Sequence, residues 1–559
     1  MPKPTIYTIL SSLFALLWTV HVYASNPKVA IASAHPLATE AGFEIIAKGG
    51  NVFDAAVAVS ATLAVVEPAG SGLGGGGYWL LHRAKDHAET LIDGREKAAL
   101  AAHKDMFLDK TGKVIPKLSL DGAMAAAIPG LPAGLVHLSE KYGRLPLAEN
   151  LAPAIRHAQN GFAITERHRK MLAFRADVLN KHNHTAAIFL AHGKEPTPFS
   201  LLKQPDLANT LKHLAESGRD GFYDGEVADK LVNGVRKAGG IWSKQDLDAY
   251  QVVERKPIKG NYQGITITSA PPSSSGGIVL VEALNILSGF DLQQLDEINS
   301  KHLIIEAMRR AYHDRALFLG DADFIDIPVQ RLLSLDYAAG LRSSIRPDKT
   351  LPSDFLSGDL PEQAQGNQTT HFSIIDDEGN RVAATLSVNT PFGSGFAPEG
   401  TGVLLNNEMD DFASLPGAMN GYGLVGGVAN SIAPGKRMLS SMTPTFLETP
   451  EHIGVLGTPG GSRIISMVLL AVLDFAKGKN PDSWVKIPRF HHQYIPDVLE
   501  YEKGAFSPNE LKKLSALGHL VKETKRNYGD MQAVQLNKIT HVLTVASDPR
   551  GVGKAQVSP

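Results

Sequence analysis

The chain has 559 residues, 43% of them hydrophobic and 20% charged, the balance of a globular protein able to bury a large core; length alone suggests about three or four domains. A formal net charge of −2 gives no argument for nucleic acid or an anionic membrane as a partner. Cysteine is absent, which excludes disulfides, thiol catalysis and Cys-ligated zinc or iron–sulfur sites.

Lys3 precedes an apolar run from Ile6 to about Val20, and Val22-Tyr23-Ala24 offers a small-x-small-like site. Residues 1–24 therefore read as a secretory signal peptide cut after Ala24, because the run is short for a bilayer that needs about 20 apolar residues. The expectation is an exported protein, periplasmic or secreted, with no membrane span after processing. A strand follows at Val29–Ser33, then a helix from Pro36 to Lys48 stopped by Gly49-Gly50, and a second helix from Asp54 to Val66 so apolar that it should be buried. The run Gly72-Leu73-Gly74-Gly75-Gly76-Gly77 leads into a strand from Tyr78 to His82. It lacks the Gly-Lys-Ser/Thr of a phosphate loop and ends in a strand, so it reads as a tight structural crossing. Thr90–Asp93 is a strand that delivers Arg95 and Glu96 at its end.

Leu131 to Leu179 and Asp206 to Gly240 read as helical, punctuated by Gly and Pro. Gln251–Ile258 and Gly264–Ser269 read as a strand pair, followed by the turn Pro271 to Gly277 and by helices Ile278–Leu287 and Lys301–Leu319. From Arg346 to Gln368 the pattern dissolves into Pro, Ser, Asp, Gln and Gly, the best linker in the chain. It abuts a strand beginning at Thr369. A turn at Asp376 to Asn380 returns the chain through Arg381 to Asn389, where Val382, Ala384, Leu386 and Val388 alternate with Arg381, Ala383, Thr385 and Ser387. Pairing Asp376 with Asn380 sets Thr369 opposite Ser387, with Asn389 two places further on the same face. Read alone, this is a hairpin with a hydroxyl-rich exposed face. Further on lie Asn406 to Phe412, a glycine-rich loop from Pro416 to Gly427, Leu439 to Pro444, and Gly457 to Arg463 heading a helix that runs to about Phe475.

The 20 histidines show no His-Glu-x-x-His, and His491-His492 on a strand point to opposite faces, so no metal or cofactor is expected. Phe392-Gly393-Ser394-Gly395 lacks the pattern of a nucleophile elbow. A threonine at a chain terminus needs no histidine, because its own α-amine can serve as base. Breaking the Gln368–Thr369 bond would make Thr369 such a residue, and the linker before it supplies slack. Gly460 and Gly461 open a helix whose unpaired N–H groups suit an oxyanion. Arg95 can grip a carboxylate and Asp411 an ammonium. These groups describe a site for the α-amino-acid end of a substrate whose distant carbonyl is cleaved.

The blocks GGNVFDAAVAV, GLGGGG, PPSSSGG, EAMRRAYHDR, QTTHFSIID, LLNNEMDDF, YGLVGG, LSSMTPT, GTPGGSRI and PRFHHQ occur in that order between Gly49 and Gln493. Together with the final ASDPR they resemble the γ-glutamyltransferases (γ-glutamyltranspeptidases) of the N-terminal-nucleophile hydrolase superfamily, over essentially the whole mature chain. The resemblance implies an α+β fold, a four-layer αββα sandwich built jointly by a large subunit (25–368) and a small one (369–559) that form one structural unit. It implies Thr369 as nucleophile and amine base, supported by Ser387, with Gly460 and Gly461 as oxyanion hole. Arg95, Ser440 and Ser441 would bind the α-carboxylate, and Asp411, Asn389 and Glu408 the α-amino group; Tyr422 would belong to a lid. The implied donor is glutathione or another γ-glutamyl compound, and the acceptor is water, an amino acid or a dipeptide. One departure is Ser387, where the family commonly has threonine; serine keeps the hydroxyl but loses the methyl that fixes its rotamer. The rival readings are a cephalosporin (glutaryl) acylase of the same fold and an exported solute-binding protein.

Overall fold

The computed structural model describes residues 28–353, 356 and 369–558. The expected signal segment, most of the linker before Thr369 and Gln368 itself lie outside the described residues. Two antiparallel sheets form the centre. The seven-stranded sheet runs, edge to edge, through Lys554–Val557, Val29–Ser33, Thr370–Asp376, Arg381–Ser387, Gly76–Arg83, Ala88–Gly94 and Val253–Arg255. The six-stranded sheet runs through Leu543–Ser547, Gln532–Asn537, His452–Gly457, Thr445–Glu448, Ile265–Ser269 and Ile258–Tyr262. The sheets pack face to face, and helices cover both outer faces, giving the expected αββα sandwich. Each sheet draws strands from both sides of residue 369, so the division into three or four domains suggested by length does not occur.

Period-two alternation explains the layering. In the seven-stranded sheet, Ala30, Ala32, Tyr78, Leu80, Ile375 and Ala383 pack into the core shared with the second sheet. Their neighbours Val29, Ile31, Trp79, Leu81, Ile374, Val382 and Ala384 pack under the helices. The main cover is helix Val52–Val66, buried along its whole length and started by a capping box between Asn51 and Asp54. On the opposite face, helices Gly276–Leu287 and Ile464–Ala476 are at least as apolar and lie against the six-stranded sheet. Among the described residues no helix is long and apolar enough to cross a membrane.

The hairpin forms in the expected register. Arg381 faces Ile375 and Leu386 faces Thr370, which continues to Ser387 facing Thr369. Its polar face is not exposed, however. Both strands are buried throughout, because the second sheet lies against that face. The polar groups there satisfy one another: Thr385 Oγ1 meets His371 Nδ1 at 2.8 Å, His371 Nε2 meets Ser373 Oγ at 3.1 Å, and Ser373 donates to the Gln532 carbonyl. Burial drives the His371 pKa down to about 3, so the ring is neutral.

Two other expectations change and one is made more definite. Val253–Arg255 does not pair with Ile265–Ser269; it extends the first sheet beside Ala88–Gly94, and Ile258–Tyr262 takes its place. The stretch Leu131 to Leu179 is three helices, 131–142, 147–160 and 166–179. The linker is anchored at its start, where the Thr350 N–H donates to the Leu517 carbonyl and Ser353 contacts Arg309, Asp497 and Tyr494.

The glycine run is the expected crossing. A Cβ on Gly75 would lie 2.0 Å from the Ser387 carbonyl oxygen, and one on Gly74 would lie 2.1 Å from that of Leu404. No side chain fits where these backbones meet. Gly75→Ala should therefore push the Gly76–Arg83 strand off the hairpin, costing about 1–3 kcal/mol for overpacking. Thermal unfolding of the purified variant checks this; an unchanged midpoint would mean that the crossing yields easily.

Candidate active site

Thr369 lies just before strand Thr370–Asp376 and is 4% exposed. It lines a narrow pocket together with Ser387, Asn389, Arg95, Glu408, Asp411, Tyr422, Ser440, Ser441 and Gly461. Residues from five distant parts of the chain thus converge on one hydroxyl. Gly460 stands next to this lining without being part of it. Leu424, Met442, Ser462 and Ile464 complete the wall and were not singled out from the sequence.

Strand Ala88–Gly94 delivers Arg95, which is 1% exposed. Its Nη1 donates to Glu408 Oε2 at 2.7 Å, its Nη2 to Asp411 Oδ2 at 2.5 Å and its Nε to the Met438 carbonyl at 3.3 Å; Glu96 Oε2 is 3.5 Å from Nη1. The groups expected to bind opposite ends of an amino acid are therefore paired with each other. Three carboxylates around one buried guanidinium leave excess negative charge, and protons relieve it. Loss of hydration pushes Glu408 up to about 7 against the pull of Arg95, and drives Glu96 well above the usual carboxylate range, helped by the nearby Glu408.

Beside Thr369, Ser387 Oγ accepts the Asn389 N–H at 2.8 Å, which fixes the bend after the strand. Asn389 takes a left-handed φ of 75°, a conformation asparagine tolerates, and its amide donates to the Asn407 carbonyl at 2.9 Å. Gly460 and Gly461 also sit at positive φ, 148° and 57°, and Gly461 begins the 3-10 turn that runs into helix Ile464–Ala476. A Cβ on Gly461 would strike the Tyr422 ring at 2.4 Å. The loop from Pro416 to Gly427 thus lies directly over the helix start.

That loop is tied down at several points among the described residues. Tyr422 OH donates to the Asn389 carbonyl at 2.6 Å, the Gly421 N–H to Asp410 Oδ2 at 2.7 Å, Asn420 Nδ2 to Asp411 Oδ1 at 3.2 Å, and Gln493 Nε2 to the Gly423 carbonyl at 2.9 Å. Asp410 also accepts from Ser119 Oγ at 2.8 Å, and burial raises its pKa to about 7. Neither Asp410 nor Gln493 was picked out from the sequence, although both lie in quoted blocks; their partners come from other parts of the chain.

The other sequence candidates lie elsewhere. Ser394 Oγ donates to the Leu405 carbonyl at 3.0 Å. His491 bonds Ser466 and Gln493, whereas His492 faces Asp497. Among the described residues, His302, Glu306 and His519 form one buried cluster of ligand type. Its groups are engaged with protein: His302 bonds His519 and the Arg346 carbonyl at 2.8 Å each, and Glu306 receives Arg309 and Arg310.

Tyr422→Phe removes one anchor of the loop, worth about 1 kcal/mol for a buried neutral hydrogen bond. Limited proteolysis within residues 416–427 should then run severalfold faster than in the wild type. Equal rates would show that the remaining ties hold the loop alone.

Residues 38–558 match the family model described as Gamma-glutamyltranspeptidase. The chain is 42% identical over 519 residues to the glutathione hydrolase proenzyme of Pseudomonas sp. (strain A14), covering 91% of this chain and 90% of that one. It is also 42% identical over 527 residues to the glutathione hydrolase proenzyme of Escherichia coli (strain K12), covering 93% and 90%. Among solved structures, the cephalosporin acylase from Bacillus halodurans superposes with a TM-score of 0.84 at 27% identity, over 100% of this chain and 98% of that one. The family match spans every residue of the pocket and every strand of the two sheets except Val29–Ser33, and the chain belongs to the gamma-glutamyltranspeptidase family.

Proposed function

We propose that this chain is an exported proenzyme that cuts itself between Gln368 and Thr369. The new terminal threonine then transfers γ-glutamyl groups from glutathione or a similar donor to water, an amino acid or a dipeptide. The observation that carries this reading is the pocket wall facing Thr369, where Arg95, Asp411, Glu408 and two serines stand together. An α-amino acid is itself a zwitterion. Its carboxylate can replace Asp411 on Arg95 while its ammonium takes Asp411 and Glu408, so the ion pair is exchanged and no charge is left bare. The names of the relatives, which are proenzymes and glutathione hydrolases, agree with this.

In the reaction, the free α-amine of Thr369, with an ordinary pKa of roughly 7.7–8.0, takes the proton of its own hydroxyl. Oγ attacks the γ-carbonyl, and the oxyanion that forms is met by N–H groups at the Gly460–Gly461 turn. Collapse of this intermediate expels the leaving amine, which takes the proton from the ammonium and leaves a γ-glutamyl ester on Thr369. Water or an acceptor amine resolves the ester by the same route. Ser387 supports the nucleophile from the facing strand, and the loop bearing Tyr422 covers the pocket and restricts it to small substrates. Residues 25–368 and 369–559 remain together as large and small subunits. Export rests on the N-terminal segment 1–24.

A glutaryl acylase is the second reading, favoured by the superposition on the Bacillus halodurans enzyme. A glutaryl chain has no ammonium to offer Asp411 and Glu408, and identity to the glutathione hydrolase proenzymes is higher. The test joins a denaturing gel to a substrate comparison. Wild-type protein should run as two fragments and release product from a γ-glutamyl anilide in preference to a glutaryl anilide. Thr369→Ala should stay whole and inactive. A single wild-type band, or preference for the glutaryl compound, sinks the proposal.

A pH dependence follows from Glu408. Its pKa is raised in the folded protein to about 7, so below that pH it holds a proton and ceases to be an anionic partner for the substrate's ammonium. KM for the γ-glutamyl anilide should rise as pH falls from 8 to 6. In Glu408→Gln, KM should be higher and flat across that range; an unchanged slope would place the titrating group elsewhere.

A further inference from the structure

Arg315 lies near the end of helix Glu297–Phe318 and is 5% exposed. Its guanidinium is aimed at the serine loop. Nε donates to Ser275 Oγ at 3.0 Å, and Nη2 donates to Ser441 Oγ at 3.2 Å. The Ser275 hydroxyl donates in turn to the Ser440 carbonyl at 2.7 Å, and the Ser275 N–H reaches the same carbonyl at 2.9 Å. Arg315 therefore touches Ser441 directly and Ser440 through one serine.

Its electrostatic situation differs from that of the other deeply buried arginines. Arg95, Arg309, Arg310, Arg437 and Arg489 each form an ion pair. Arg315 forms none with a described carboxylate; Asp411 acts on it only from longer range. Burial without a close counter-charge pulls its pKa down to about 10. A cation in that position is stabilised by any anion brought near it.

The two serines present matching donors. Ser441 Oγ already accepts from Arg315, and Ser440 Oγ accepts the Met442 N–H at 3.0 Å. Each hydroxyl carries one proton of its own, and neither proton has an acceptor among the described residues. Both serines line the pocket. Arg95 supplies the remaining positive charge of this wall, but it is already held by Glu408 and Asp411.

We propose that Arg315 is a positioning residue for the substrate α-carboxylate, turning the Ser441 hydroxyl proton into the pocket and supplying a positive charge that the carboxylate balances. This rests on the γ-glutamyl reading, and it adds a residue that sets affinity without touching substrate.

The test uses the mature two-subunit enzyme, with wild type, Arg315→Lys and Arg315→Gln assayed on a γ-glutamyl anilide. Glutamine keeps a donor for Ser441 and loses the charge; lysine keeps the charge and loses the planar fork. Loss of the charge should raise KM about tenfold, the size of one charge-assisted hydrogen bond, with kcat within about threefold of wild type. Lysine should restore most of the affinity. Equal KM values for the glutamine and lysine variants, or a fall in kcat at unchanged KM, would overturn the proposal. If glutamine prevents maturation, the lysine variant decides alone: KM within about threefold of wild type supports a charge role, and a tenfold loss overturns it. A wild-type enzyme that matures yet releases nothing from the anilide would strike at the γ-glutamyl reading instead.

Discussion

The structure depends above all on the ladder that holds strand Thr370–Asp376 in the interior of a sheet. Val29–Ser33 bonds it along one edge and Arg381–Ser387 along the other, and the second sheet covers its polar face. A chain cut just before this strand loses one covalent bond and no rung of the ladder. The same arrangement brings a small polar residue, Thr369, to the rim of a rigid layer, where its position is set by strands from both halves of the chain. In the proposed reaction Thr369 must generate its own base and needs such fixity, because a misplacement of about 1 Å is enough to lose most of the benefit of proximity.

Charge burial is the second constraint. Arg95, Glu96, Glu408 and Asp411 lie almost out of reach of water, and the cluster is tolerable only because protons and mutual contacts offset the excess of carboxylates. Such a cluster is poor at holding the protein together compared with an apolar one of equal volume. In the proposed reaction its use is recognition, since a zwitterion can enter it by exchanging partners and a chain without an ammonium leaves Asp411 and Glu408 unmatched. Arg315, buried without a close counter-charge behind Ser441, biases the same wall toward an anion.

Backbone proximity is the third. Gly74 and Gly75 let the strand Gly76–Arg83 pass against the carbonyls of Leu404 and Ser387, and Gly461 lets the Tyr422 ring rest on the helix start. These contacts couple the floor of the pocket to its cover. The cover is pinned through Asn389, whose carbonyl receives Tyr422 while its N–H rests on Ser387, so the loop and the hairpin share one residue.

Much of this was legible in the residues alone. Strand Val29–Ser33, the buried helix Val52–Val66, the hairpin register and the crossing at the glycine run follow from local patterns: a period of two, unbroken apolarity, a turn around Gly379, and glycines where a side chain cannot fit. The convergence of Thr369 with Arg95, Asp411 and the serines was reachable through ordered motifs that local propensity does not explain. Tertiary structure decided the rest. The hydroxyl-rich face of the hairpin is buried because another sheet covers it, and Val253–Arg255 joined the first sheet because Ala88–Gly94 offered an open edge. Arg95 pairs with Glu408 and Asp411, and Arg315 reaches Ser441, across separations of more than a hundred residues. Period and turn chemistry are short-range and can be read along a chain. Which buried charges meet, and which is left without a partner, is settled only when distant segments are packed into the same low-dielectric space.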